Sequence, residues 1–389
     1  MDWKKYRLNS DDICEIQPKT KFKSLGILFS TIDDCTNDNI HPRVRKIRNI
    51  INMWKERDLS IKGRITLIKS LIASQLTYCA VVIDIPRDIL KTLDREIISF
   101  MWRGRPPKVK RSVICQPIER GGLGAVDIAS YVRSIQLSWT RRMLTNRDAK
   151  WRVLLQKAAG PILLEDLLRG NMSQRHVESI GLPNFYSKII AEYYRLKPMN
   201  HITCATDIYR QCLWYNAHIQ IDHKVIFFLN MYRQGIKYVG HIFRNGDVMD
   251  YNSLCGQYPD LTLNPFAYQC LKHAIPREWK TISKAERNMR PFPLVEDTEL
   301  TISVTDTEIE LANARCKHFY RALIPGDVIP TCKVKWSEEP GSRLRNFHWG
   351  GRKLKVPNLG YSQFCFLTGF RPLIFHHSPD ARFIFFFEN

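Results

Sequence analysis

Four stretches between residues 42 and 144 place apolar side chains every three or four positions, which is the spacing of one buried face of an α-helix. They begin at Pro42, after Ser60 as a predicted N-cap, at Pro86 and at Asp127. The four apolar stripes are Val44, Ile47, Ile51 and Trp54; Ile61, Ile65, Ile68, Ile72, Leu76 and Cys79; Ile89, Leu93, Ile97, Phe100 and Trp102; and Ile128, Val132, Ile135, Trp139 and Met143. Since each stripe needs an apolar partner to cover it, the sequence predicts a helical bundle.

The regions on either side of this bundle have weaker patterns. Residues 22–30 form a short β-prone segment around Gly26, which is typical of a strand or a tight hairpin. We predict a mainly α fold in four parts: residues 1–35, a basic helical bundle at 36–146, a mostly helical region at 147–330, and a tail at 331–389. The tail shows neither a clear period nor helix caps, so we expect it to be irregular and poorly ordered.

The charge of the chain is strongly unbalanced, because 59 Lys and Arg residues against 38 Asp and Glu residues give a formal net charge of +21. Residues 40–111 hold seventeen of the basic residues and six of the acidic ones, so a net +11 lies on the predicted bundle. Such an excess favours a polyanionic partner, with nucleic acid first and an acidic lipid surface second. A basic protein that binds neither is the alternative.

The densest positive charge lies in residues 103–111, which contain five Lys or Arg residues beside Pro106 and Pro107. Because these prolines disfavour a helix, we expect an extended basic loop that could follow a phosphate backbone. A loop kept in solution by its charge is the alternative. Lys62 and Lys69 are seven residues apart and therefore share one face of the second helix.

Cysteine usage and the amino terminus indicate a reducing compartment. The eleven cysteines are scattered without the CxxC pairs of structural zinc sites, and residues 1–6 lack the apolar stretch of a secretory signal. We therefore expect an intracellular protein, nuclear or cytoplasmic, with reduced cysteines. No uninterrupted run of about eighteen apolar residues occurs, so no membrane contact is expected.

No catalytic constellation is evident in the 389 residues. Nucleotidyl transfer needs clustered carboxylates that hold two metal ions, and neither Asp11-Asp12 nor Asp33-Asp34 follows the aromatic strand that presents such a pair in polymerases. The glycines at 121, 122 and 124 are expected to form a turn. We predict no catalytic, cofactor-binding or metal-binding residue. Two local groups of Cys and His match no zinc module: Cys204, Cys212 and His218, and Cys316, His318 and Cys332.

Three tryptophans could stack on nucleic-acid bases, as aromatic side chains do in single-strand binding proteins. Trp54 and Trp139 lie on apolar stripes, so we expect them to pack in the core instead. The sequence leaves the role of Trp102 open.

Six segments resemble, in their order and spacing, the region downstream of the active site in non-LTR (LINE-type) retrotransposon reverse transcriptases. They are FKSLGI at 22–27, WKERDLSIKGRI at 54–65, LIKSLI at 67–72, IP at 85–86, FMW at 100–102 and ERGGLG at 119–124. The resemblance covers residues 22–144 well, is looser to about residue 324 and fades after residue 330. It implies that residues 1–35 are the end of a palm domain and that residues 36–146 are the thumb, which grips template and primer. Residues 147–330 would then be the region that follows the thumb.

The resemblance implies a truncated fragment of an RNA-directed DNA polymerase that keeps a nucleic-acid-binding thumb and lacks the palm carboxylates with their Mg²⁺. We expect no enzyme activity from this chain alone, and binding to RNA or an RNA/DNA duplex. The side chains expected to contact phosphates are Lys62, Arg64, Lys69, Arg103, Arg105, Lys108, Lys110 and Arg111. The alternatives are a host-recruited protein-interaction module derived from such an element, and a partial gene model of a complete reverse transcriptase.

Overall fold

The computed structural model describes residues 21–30, 34–118, 122–198, 202–286, 300–305 and 307–324, and the backbone alone of residues 346–349 and 352–355. In these ranges the chain is mainly helical, as predicted, and every strand belongs to a two-stranded antiparallel hairpin.

The first hairpin pairs β1 (Phe22–Ser24) with β2 (Ile27–Phe29) and confirms the strand element predicted near the amino terminus. Its two connecting residues, Leu25 and Gly26, have φ values of 46° and 81°, as a two-residue type I′ turn requires. The side-chain amide of Asn39 accepts the Leu28 N–H at 2.8 Å and donates to the Leu28 carbonyl at 2.7 Å. The hairpin is therefore fixed on the first helix.

The helices of the bundle are α1 (Thr36–Lys55), α2 (Ile61–Leu67), a π-helical segment (Ile68–Ala73), α3 (Ser74–Val82), α4 (Arg87–Met101), α5 (Arg111–Ile114) and α6 (Ile128–Thr145). The first helix begins six residues before Pro42, so the predicted start was wrong. Pro42 removes one helical hydrogen bond, and the burial of Ile40, Val44 and Ile47 on the same helix offsets that loss.

The N-cap predicted at Ser60 is confirmed, because its hydroxyl accepts the N–H of Gly63 at 3.1 Å. From there the helical backbone is continuous over Ile61–Val82, the one stretch in the described residues that is long and apolar enough to cross a membrane. Its buried side chains pack against α1, α4 and α6, as those of a core helix do in a globular protein.

The buried residues form two hydrophobic cores, and α6 contributes to both. Ile128, Val132 and Ile135 belong to the core of the bundle, whereas Leu137 and Met143 belong to the second core. The change of core thus falls between Ile135 and Leu137 inside α6, whereas the sequence analysis placed the boundary after residue 146.

The second region is mostly helical and carries three hairpins that the sequence analysis did not predict. Its helices are α7 (Lys150–Ala159), α8 (Leu164–Arg169), α9 (Gln174–Ser179), α10 (Asn184–Leu196), α11 (Ala205–Tyr209), α12 (Leu229–Arg233), α13 (Tyr251–Gln257), α14 (Pro265–Ala274), α15 (Arg277–Ala285) and α16 (Cys316–Leu323). The hairpins pair β3 (Gln220–Ile221) with β4 (Lys224–Val225), β5 (Phe243–Arg244) with β6 (Asp247–Val248), and β7 (Thr301–Val304) with β8 (Thr307–Glu310). In the predicted tail, β9 (Asn346–Trp349) pairs with β10 (Arg352–Lys355), and the rest of residues 331–389 lies outside the described residues.

Hydrogen bonds join the two regions along α6. The indole N–H of Trp139 donates to the Val81 carbonyl at 2.6 Å, and Arg141 Nε donates to the Ala312 carbonyl at 2.9 Å. At the start of α6, the N–H of Asp127 donates to the Tyr320 hydroxyl at 3.0 Å, so α16 closes back onto the bundle.

A turn was predicted at the glycines after α5, and its described residues, from Gly122 onward, form one. Gly122 N–H donates to the Pro117 carbonyl and Gly124 N–H to the Gln116 carbonyl, at 3.0 and 2.9 Å. A Cβ atom at Gly122 would lie 2.0 Å from the Gln116 carbonyl oxygen, which is closer than any real contact. Glycine is therefore required at this position.

We expect Gly122→Ala to lower the free energy of unfolding by about 2 kcal/mol or more, because the backbone must move to relieve the clash. Gly256→Ala is the matched control: this glycine lies in α13 with open space around its Cβ position, and the change should raise stability by up to about 1 kcal/mol. Urea unfolding followed by circular dichroism measures both. Equal effects of the two changes would contradict the close approach at Gly122.

Candidate nucleic-acid interface

The exposed side of α2 and the π-helical segment carries Lys62 and Lys69, as their spacing predicted. Thr66 and Ser70 lie between and beside them on the same exposed side. Both hydroxyls donate to carbonyls of their own helix, Thr66 to Lys62 at 3.1 Å and Ser70 to Thr66 at 2.9 Å. Their oxygen lone pairs leave this face polar between the two lysines. We call these four residues the α2 face.

Lys69 lies close to another part of the protein. It sits in the π-helical segment, opposite Gly124, whose φ is +61°; a Cβ atom at Gly124 would lie 3.3 Å from Lys69 Nζ. Partial burial lowers the pKa of the Lys69 ammonium below the usual 10.5, with no contribution from a nearby carboxylate. Lys69 nevertheless remains exposed on this face, and no acid in the described part of the chain compensates its charge.

Lys62 occupies the first turn of α2. A cation is unfavourable there, since the amino-terminal end of a helix carries a partial positive charge. An anion placed at this end of the helix would be attracted by the Lys62 ammonium and by the partial positive charge of the helix end.

The predicted basic loop begins as a tight turn. Arg103 and Gly104 have φ values of 55° and 72°, and Arg105 N–H donates to the Trp102 carbonyl at 3.0 Å. The Arg103 guanidinium contacts Asp58 in an ion pair and donates to the Leu59 carbonyl at 2.8 Å. Arg103 therefore connects the end of α4 to the turn between α1 and α2.

The later part of the loop divides into exposed and paired cations. Arg105, Lys108 and Lys110 are exposed. Arg111, predicted to lie in the extended loop, is instead the first residue of α5. Its guanidinium forms ion pairs with Asp94 of α4 and, at 2.7 Å, with Asp127 at the start of α6. Two carboxylates thus compensate Arg111, and it holds α5 in place.

Arg64 does not lie at the surface, and this corrects the expectation that it contacts phosphates. Its side chain is 2% exposed and lies over the Phe100 ring at 4.9 Å. The guanidinium donates to four backbone carbonyls. These are Phe100 at 2.6 Å, Arg57 at 3.2 Å, and Lys55 and Leu59 at 3.4 Å. Arg64 is therefore a structural cation that satisfies carbonyl groups near the ends of α1 and α4.

None of Trp54, Trp102 and Trp139 presents an open stacking face. Trp54 is half-buried with the Arg57 guanidinium 4.5 Å from its ring centre, and Trp102 is buried. Trp139 packs edge-on against the rings of Trp151 and Tyr186, at 4.8 and 5.7 Å. The packing role expected for Trp139 is confirmed, and Trp102 also belongs to the bundle core.

The described residues contain no group of three or more Cys, His, Asp or Glu side chains that could hold a metal ion. Of the two acidic pairs, Asp11, Asp12 and Asp33 lie outside the described residues. The Asp34 carboxylate accepts the Thr36 N–H at 2.9 Å, and its hydrogen bonds with Thr36 lower its pKa. Asp34 therefore caps the beginning of α1.

The hydroxyl groups of Thr66 and Ser70 were not among the predicted contacts. Their positions four and eight residues after Lys62 place them on the same helix face, so the signal was present in the spacing. Nothing in the spacing marks the π-helical turn or the compensation of Arg111.

We expect Arg64→Ala to lower the free energy of unfolding by about 3 kcal/mol, because the change leaves buried carbonyl groups without a donor. Arg64→Lys should recover only part of this loss, since an ammonium has fewer donors and a different shape. Arg45→Ala removes an exposed arginine from α1 and should change stability by less than about 0.5 kcal/mol. Urea unfolding would disprove the structural role of Arg64 if Arg64→Ala were as mild as Arg45→Ala.

Comparison with known proteins gives two related sequences, each matched over about a third of this chain. The first, a "Putative ribonuclease H protein" from Arabidopsis thaliana, is 31% identical over 121 residues, which is 29% of this chain and 19% of the relative. The second, "Transposon TX1 uncharacterized 149 kDa protein" from Xenopus laevis, is 27% identical over 124 residues, which is 31% of this chain and 9% of the relative. No family model matches the chain. The chain thus spans less than a fifth of each of these curated relatives, and over about a third of its own length it is related to a transposon-encoded protein.

Proposed function

We propose that this chain is part of a transposon-encoded RNA-directed DNA polymerase, and that its bundle acts as a thumb that holds RNA or an RNA/DNA duplex by the phosphate backbone. The observation that carries the proposal is the α2 face, on which Lys62 and Lys69 lie exposed seven residues apart and Lys69 has no ion pair with a carboxylate in the described residues. A phosphate oxygen beside Lys69 would replace the missing counter-charge.

The spacing on the α2 face fits a helical duplex. Lys62 and Lys69 are separated by seven residues, which corresponds to about 10 Å along a helix axis. Two cations this far apart on one helix face can contact different phosphates of the same backbone. Hydroxyls such as those of Thr66 and Ser70 commonly contact phosphate oxygens, so the whole α2 face suits a phosphate backbone.

The cations that remain exposed extend this surface. Arg105, Lys108 and Lys110 follow the turn that Arg103 fixes next to the amino-terminal end of α2. The proposed contact set is therefore Lys62, Lys69, Arg105, Lys108 and Lys110, with Arg103 at its edge. Arg64 and Arg111 are removed from the set, because one is buried and the other is held by two carboxylates. A set that recognises backbone rather than bases gives little sequence preference.

The transposon relative supports a transposon origin of the chain, and the family resemblance supports the finer assignment. The resemblance places residues 54–65 and 67–72 in the thumb of LINE-type reverse transcriptases, and these residues include Lys62 and Lys69. Lys62 and Lys69 of the α2 face therefore lie within the segments that the resemblance assigns to the thumb.

We expect Lys62→Ala with Lys69→Ala to weaken binding of an RNA/DNA duplex and to make that binding less dependent on salt. Each lost phosphate contact should reduce the slope of log K against log salt by about 0.9, so the slope should fall by about 1.8. Fluorescence anisotropy with a labelled duplex across a salt series measures both quantities.

A matched control exists on α7, where Lys150 and Lys157 are also exposed and seven residues apart. Lys150→Ala with Lys157→Ala changes the net charge equally but lies in the second region. It should leave the duplex affinity nearly unchanged. Equal losses in the two double variants would show that the net charge, and not the α2 face, binds the duplex.

For the 389-residue chain by itself we expect duplex binding without polymerisation. Primer extension on an RNA template with Mg²⁺ and deoxynucleotides should give no product, since no carboxylate cluster for two metal ions is evident in the sequence. The same preparation must bind the duplex in the anisotropy assay, which shows that it is folded. Extension by this chain alone would overturn our assignment of catalysis to residues outside it.

A further inference from the structure

A cleft of about 730 Å³ lies between the bundle and the second region. The loop before α4 and the first half of α4 form one wall, α10 forms the other, and α6 lies between them. The cleft lies on α4, α6 and α10, whereas the α2 face belongs to another helix of the bundle. The proposed thumb contacts do not use it.

The four carboxylates that line the cleft are all compensated by cations that line it too. Asp84 pairs with Lys188 at 2.5 Å, and Glu192 pairs with Arg133 at 3.5 Å. Asp94 and Asp127 share the Arg111 guanidinium. The carboxylates are thus bound within the protein.

Two further cations line the cleft without such a partner. Arg87 and Lys91 are exposed on α4, four residues apart, and neither forms an ion pair with an acid in the described part of the chain. This spacing corresponds to about 6 Å along the helix. The wall formed by α4 is therefore the side of the cleft that attracts an anion.

An apolar surface lies in the same cleft. Leu90, Val132 and Ile189 are buried at its base, and Phe185 is partly exposed beside them. The ring of Tyr186 packs edge-on against Phe185 at 5.4 Å, which supports the Phe185 ring from one side. Cations and a supported aromatic ring together are the combination that binds unpaired nucleotides.

We propose that this cleft binds an unpaired strand of nucleic acid, with consecutive phosphates on Arg87 and Lys91 and a base against Phe185. The volume lies in the range of ~300–1,000 Å³ typical of sites for single small molecules, so it admits one or two nucleotides and not a duplex. A peptide with acidic side chains would use the two cations but would leave the aromatic contact unexplained. The cleft would thus hold single-stranded nucleic acid while the α2 face holds a duplex.

The test is fluorescence anisotropy of the full chain with a labelled single-stranded oligonucleotide of about six nucleotides, as RNA and as DNA. Arg87→Ala with Lys91→Ala should weaken binding about tenfold and reduce the slope of log K against log salt by about 1.4, or ~0.7 for each phosphate. Phe185→Ala should weaken binding by about fivefold or more, and Phe185→Trp should retain it, because any aromatic ring can stack.

Three controls make the outcome decisive. Lys150→Ala with Lys157→Ala has the same change of net charge and should leave oligonucleotide binding unchanged. Lys62→Ala with Lys69→Ala should weaken duplex binding but not oligonucleotide binding. An error in the proposed function of the α2 face and an error in the proposed function of the cleft therefore give different results. Each variant must unfold at the temperature of the parent chain.

Unchanged oligonucleotide binding in Arg87→Ala with Lys91→Ala would overturn the proposal. An equal fall in Lys150→Ala with Lys157→Ala would also overturn it, since the effect would then be one of net charge. So would displacement of the oligonucleotide by a glutamate-rich peptide of the same charge at equal concentration, which would show that the cleft recognises carboxylates as well as phosphates.

Discussion

The position of the α2 face depends on one buried cation, Arg64. Helix ends leave carbonyl groups without partners, and α1 and α4 both end beside Arg64. Its guanidinium donates to the Lys55 carbonyl at the end of α1, to the Arg57 and Leu59 carbonyls in the following turn, and to the Phe100 carbonyl near the end of α4. Arg64 itself lies in the first turn of α2, so it joins these three segments to that helix. A planar group with five donors can satisfy several carbonyls at once, whereas an apolar side chain of similar size would leave them unpaired. Lys62, two residues earlier, is then exposed because Arg64 is held inside.

Burial of Arg64 has an electrostatic cost, which the neighbouring charges modify. Loss of water lowers the pKa of the Arg64 guanidinium, the nearby Arg103 lowers it further, and Asp58 opposes both effects. Asp58 in turn contacts Arg103 in an ion pair. The acid that favours the charged form of Arg64 is therefore also the ion-pair partner of Arg103, the first cation of the basic loop. Compensation of Arg111 by Asp94 and Asp127 fixes the other end of the loop, so the cations left exposed between them are Arg105, Lys108 and Lys110.

The helical stripes, the Ser60 cap and the shared face of Lys62 and Lys69 could be predicted because they depend on spacing within one helix. Burial of Arg64 could not be predicted, because its hydrogen-bond partners are backbone carbonyls, which carry no sequence signal. An arginine that lies among other basic residues in the sequence also suggests an exposed surface. The Asn245-Gly246 turn between β5 and β6, with φ values of 49° and 80°, did have a signal, since Asn-Gly is the preferred pair for a type I′ hairpin. The cleft could not be predicted either, because Arg87 and Phe185 are brought together only by the packing of α10 near the bundle.

The two proposed binding surfaces are connected through α6. This helix contributes Ile135 to the core of the bundle and Leu137 to the second core, so neither core can rotate about it without losing packed side chains. Hydrogen bonding of Trp139 to Val81 and pairing of Arg133 with Glu192 join the same helix to α3 and to α10. A duplex on the α2 face and an unpaired strand in the cleft would then lie at a fixed separation, set by the packing of the bundle. A junction between paired and unpaired nucleic acid carries both kinds of strand. Where its strands span the separation of the two surfaces, the second contact forms at high effective concentration and the junction binds more tightly than a duplex or a single strand alone.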